Sequence, residues 1–136
     1  MAEQIKVRSS DSRLSIFQKI PWTLAIILYM VVVHYSALDM RGVAGYIFLG
    51  LCVVVLFVEF FKSGDIGAFT FLVDLLGAVL SLVLATVLMS YLIFKLGETP
   101  TFFHWFGCAV ILGDTILGPF NAFRTALRNL GLGASA

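Results

Sequence analysis

Small and polar residues in this chain recur at helical spacing inside long apolar runs. Between Phe102 and Phe123, His104, Gly107, Asp114, Gly118 and Asn121 follow one another at intervals of 3, 7, 4 and 3 residues, with Ile111 filling the gap. That rhythm marks one face of a helix. The run beginning at Val43 repeats it with Gly45, Phe48, Cys52, Val55, Glu59 and Lys62. The next run puts Asp74, Ala78, Ser81, Ala85 and Leu88 on one stripe with Gly77 beside it, and the first aligns Thr23, Ile27, Met30, His34 and Arg41. Small residues at this spacing let apolar helices approach closely. The pattern predicts an all-α fold, an integral membrane bundle of four transmembrane helices whose small or polar faces meet. Gly77, Ser81, Ala85, Gly107 and Gly118 are its packing positions.

Short polar breaks, each with a charge, divide the runs into spans at Ile20 to Leu38, Val43 to Phe61, about Ile66 to Phe94, and Phe102 to about Phe120. Connections this short make consecutive helices antiparallel neighbours. The third run is longer than a bilayer core of about 30 Å requires. Gly64 and Gly67 loosen its entry, so the preferred reading lays Ile66 to Val73 in the interface and starts the true span near Asp74. Pro119 is expected to end the fourth span. Beyond it, Phe120, Phe123, Leu127 and Leu130 form an apolar stripe opposite Asn121, Arg124, Thr125 and Arg128, which predicts an amphipathic tail helix. A second short amphipathic helix, from Ser12 to Ile20 with Asp11 as its cap, is expected before the first span. The organisation is thus a segment 1–19, a transmembrane domain 20–120 and a tail 121–136.

Composition agrees with the pattern. Of 136 residues, 60% are hydrophobic and 12% charged, and the mean hydropathy is +1.02, far from a soluble globular chain. Four spans leave no room for a soluble domain, and Pro21 to Leu38 reads as a retained span rather than a cleaved leader. A net charge of +1 without a long basic run gives no footprint for nucleic acid. Cys52 and Cys108 sit within apolar runs and read as packing groups, not as a disulfide or metal pair.

Lys and Arg set the topology. With four spans, seven of the nine basic residues fall on one side (Lys6, Arg8, Arg13, Lys19, Lys62, Arg124 and Arg128), leaving Arg41 and Lys95 on the other. The positive-inside rule then makes both termini cytoplasmic, in a plasma membrane or a bacterial inner membrane.

Ionisable residues within spans are costly and mark candidate chemistry. Glu59, Asp74 and Asp114 fall towards the cytoplasmic side. They are candidates for a proton or cation role, or else they end spans and pair with Lys62, Arg124 or Lys19. His34 and His104 fall at similar depth near the opposite side, where two imidazoles could be the axial ligands of a b-type haem or hydrogen-bonding anchors. Two histidines supply too few ligands for zinc. No nucleophile array, phosphate loop or dinucleotide fingerprint is present, so no catalytic residue is assigned and a non-enzymatic role is expected. That role is a homo-oligomer or an accessory subunit of a larger membrane complex. A small channel or proton- or cation-coupled transporter is the alternative, and a bis-histidine haem protein the minor one.

Overall fold

The computed structural model describes residues 16–17, 20–62, 68–129 and 131. Most of the N-terminal amphipathic segment, the break at 63–67 and the end of the tail lie outside them. The described residues form helices and turns without a strand. The elements are α1 (Thr23–Tyr35), α2 (Val43–Lys62), α3 (Ala68–Ser90, continued by a π-helical turn Tyr91–Lys95) and α4 (Phe102–Asn129). Three helical stretches, Val43–Lys62, Phe71–Lys95 and Phe102–Arg124, are long and apolar enough to cross a membrane.

The first helix differs from its expected span. It has 13 residues, about 20 Å at 1.5 Å per residue, against a bilayer core of about 30 Å. Pro21 stands immediately before its first turn, where the backbone carbonyls of Pro21 and Trp22 accept from Leu24 and Ala25. Its other end is closed by Ala37 in the left-handed region at φ 52°. There Ala37 N–H donates to His34 O and Leu38 N–H to Val33 O, the paired bonds of a Schellman cap. Asp39 then turns the chain into α2, its carboxylate accepting from Arg41 N–H at 2.8 Å.

The fourth helix differs in the other direction. It runs 28 residues straight through Pro119, so the amphipathic tail continues the span instead of starting a new element. Proline inside an apolar helix is tolerated where neighbouring groups re-satisfy the freed backbone. The third helix is likewise unbroken from Ala68 past Asp74.

α1 and α4 each pack against all three other helices, whereas α2 and α3 share little contact. The core is built from the stripes on α1 and α2: Ile26, Met30, Phe48 and Cys52 are 0–1% exposed, as is Ile111 of α4. Close approach depends on glycine. A methyl group at Gly107 would fall 2.5 Å from Phe48 Cζ and 3.1 Å from Ile26 Cγ2; one at Gly77 would fall 2.9 Å from Pro21 Cβ. Gly45 lies hard against Met40 O and the Phe103 ring. Buried polar atoms are few and paired: Thr23 Oγ1 donates to Ser81 Oγ at 2.9 Å, and Ser81 Oγ to Gly77 O at 2.9 Å. Outside, the bundle is apolar, with Leu28, Val43, Phe61, Phe94 and Ile116 between 61% and 86% exposed.

Candidate functional site

Ionisable groups gather at the two ends of the bundle with the apolar core between them. At one end, Lys62 in the last turn of α2 is 8% exposed. Its ammonium donates to Asp74 Oδ1 of α3 at 2.6 Å and to Ile20 O at 2.8 Å, and pairs with Glu59 Oε2 at 3.2 Å. Three acceptors match the three protons an ammonium offers. Glu59 uses its other oxygen, Oε1, to accept from Trp22 N–H at 2.7 Å. A carboxylate on α2 therefore caps the start of α1, where unpaired N–H groups and the helix dipole favour an anion. The Lys62 and Glu59 side chains are 4% and 7% exposed, that of Asp74 32%.

Asp114 completes this end on a different surface. With Glu59 and Asp74 it lines a groove of about 470 Å³ between α2 and α4, walled by Leu56, Phe60, Phe106 and Leu117. Among the described residues no hydrogen bond or ion pair reaches the Asp114 carboxylate. Ala109, Gly113 and Gly118 belong to the lining, and among the described residues a methyl group added at Gly113 or Gly118 would meet nothing within 4 Å.

His34 and His104 share a smaller pocket at the other end, about 270 Å³, with Asp39, Arg41, Glu98 and Thr101. His34 Nδ1 lies 3.7 Å from Glu98 Oε2. His104 Nδ1 accepts from Thr101 N–H at 3.2 Å, with Thr101 Oγ1 at 2.9 Å. Thr101 precedes the first residue of α4, so His104 reaches back from the third helical position as the acid of a capping box does. An axial imidazole has the reverse polarity, its second nitrogen donating. The pocket is also smaller than the roughly 300–1,000 Å³ of sites that enclose drug-sized ligands. Neither feature supports haem.

Of the packing residues expected from sequence, Gly77, Ser81, Ala85 and Gly107 stand at contacts within the chain, Ser81 and Ala85 at 0% and 1% exposure; Gly118 instead faces the groove. Cys52 and Cys108 are free thiols, Cys52 buried. Among the described residues no group of three or more His, Cys, Asp and Glu is placed to hold a metal. Of the pairings the sequence offered for Glu59, Asp74 and Asp114, Lys62, which closes the α2 stripe three residues after Glu59, is the one made among the described residues, with both Glu59 and Asp74. Compared with protein-family models, curated proteins and solved structures, the chain matches none.

Proposed function

We propose that the chain is a small multi-pass membrane protein of four helices, both termini cytoplasmic, that works by assembling with copies of itself or with other membrane proteins. The carrying observation is how glycine is used. Gly45, Gly77 and Gly107 are consumed by close approaches within the chain, whereas Gly113 and Gly118 line the α2–α4 groove with no described residue within 4 Å of an added methyl group. Small residues on an apolar helix that its own fold leaves uncovered favour approach by another helix.

Transport through a single chain has less support. Ile26, Met30, Phe48, Cys52 and Ile111 fill the space between the acidic and histidine ends at 0–1% exposure, and three of the carboxylate contacts are spent on Lys62 and Trp22. The test is native mass measurement after extraction in a mild detergent, for wild type and for Gly113→Leu. Assembly that Gly113→Leu abolishes while leaving thermal stability intact supports the reading. A monomer without partner in detergent and in lipid nanodiscs refutes it.

A further inference from the structure

We infer that the histidine pocket is a proton-operated clasp: acidification frees Thr101 from His104 and draws Glu98 to His34, so that the connection between α3 and α4 passes from the start of α4 to the end of α1. The device belongs to the end of the bundle opposite Lys62 and stands whether or not the chain assembles. Its setting is the pocket of about 270 Å³ in which His34 of α1 and His104 of α4 meet Glu98 and Thr101 of that connection. The Glu98 and His34 side chains are 53% and 26% exposed, so both are open to protons from outside the bundle.

A backbone donor fixes the first half of the clasp. Thr101 N–H donates to His104 Nδ1 at 3.2 Å, so that nitrogen holds a lone pair and the ring is neutral with its hydrogen on Nε2. An imidazolium carries a hydrogen on both nitrogens and accepts from neither side. Protonation therefore breaks the bond to Thr101 N–H, while the Thr101 hydroxyl, with Oγ1 at 2.9 Å, reverses its role and accepts. What is released is the backbone at the start of α4.

The second half has the opposite sign. His34 Nδ1 lies 3.7 Å from Glu98 Oε2, too far for a hydrogen bond but within reach of ionic attraction once the imidazole is charged. Among the described residues the other charges lining the pocket are Asp39 and Arg41 of the α1–α2 turn, one of each sign, and the Asp39 carboxylate already accepts from Arg41 N–H at 2.8 Å. Tyr35, edge-on to His34 at 5.4 Å, adds no charge. Glu98 is thus the acid at hand for a charged His34. The Thr101 bond needs a neutral His104 and is lost as pH falls; the Glu98 attraction needs a charged His34 and is lost as pH rises.

The experiment is nuclear magnetic resonance of the isotope-labelled full chain in lipid nanodiscs, where its two histidines give separate ring signals. The range runs from about pH 8 to about pH 5, either side of the ordinary imidazole value of about 6.5. Protection of the Thr101 amide against hydrogen exchange, corrected for the pH dependence of a free peptide, is expected to fall about two- to thirtyfold, the worth of a helix cap. His104→Gln supplies an acceptor that takes no proton and holds Thr101 protection constant. His34→Gln and Glu98→Gln leave that fall in place but remove the second anchor, so at the acid end the order parameter of the Thr99 amide, maintained in wild type, drops below about 0.6 in both. The inference is overturned by a His104 ring hydrogen on Nδ1 at the higher pH, by Thr101 protection unchanged across the range, by an equal fall in His104→Gln, or by Thr99 order that does not depend on His34 and Glu98. The first two are read on the wild-type protein, so they decide even where a variant fails to fold.

Discussion

Replacing Lys62 with methionine tests the acidic end most directly, because it removes the cation while keeping the apolar stem. The ammonium is surrounded by Asp74 Oδ1 at 2.6 Å, Ile20 O at 2.8 Å and Glu59 Oε2 at 3.2 Å. Removing one partner of a buried ion pair costs about 3–5 kcal/mol, chiefly because the other charge stays behind unpaired. Glu59 retains Trp22 N–H, and the Asp74 side chain is 32% exposed, so the lower end, about 3 kcal/mol, is expected. For a domain of this size that corresponds to a fall of roughly 10 °C in Tm. Fluorescence of Trp22, adjacent to the cluster, follows unfolding in detergent. The mechanism also predicts rescue: adding Glu59→Gln and Asp74→Asn to Lys62→Met removes the stranded charges and should recover most of the loss, since neutral replacements of a buried charge cluster are often tolerated. A Tm unchanged by Lys62→Met, or a triple variant no better than the single one, would refute the assignment.

Three further outcomes are expected. Ala37→Gly should stabilise the protein by about 0.5–1 kcal/mol, because relief of roughly 1–2 kcal/mol of left-handed strain exceeds glycine's added unfolded-state entropy; a lower Tm would contradict the cap. Gly107→Ala should cost about 1–3 kcal/mol by driving a methyl into Phe48, whereas Gly113→Ala, open to space, should gain roughly 0.5–1 kcal/mol in the dissociated chain; the two Tm shifts must have opposite signs. With Cys52 and Cys108 removed, cysteines at Ser10 and Ser135 should resist a membrane-impermeant thiol reagent in intact cells while one at Thr99 reacts. Labelling at Ser135 but not Ser10 would refute four spans.

Helix identity was legible because burial follows the stripes. On α2 the buried residues are Gly45, Phe48, Cys52, Val55 and Lys62, members of one 3-4 series in the sequence. What escaped was where helices stop. Nothing in Ile20 to Leu38 announces that Ala37 takes a left-handed conformation, since alanine rarely does so. Pro119 gives the opposite error: its ring breaks helices in water, but an apolar bundle offers the backbone no better alternative. Which cation each acid would meet was also open, since spacing along the chain offered Lys62, Arg124 and Lys19 alike and only the packed bundle brings Lys62 to Asp74.

The short first helix and the acidic cluster explain each other. In the proposed membrane setting, a helix of about 20 Å within an apolar slab of about 30 Å would leave flanking backbone out of reach of water. Ile20 O and Trp22 N–H are such groups, and Lys62 and Glu59 are their partners. At the far end the Schellman bonds and the Asp39 carboxylate do the same work. On that reading Glu59, Lys62 and Asp74 are the fittings of a helix shorter than the slab around it. Asp114 is different: among the described residues no backbone donor and no ion-pair partner reaches its carboxylate, and it lines the α2–α4 groove.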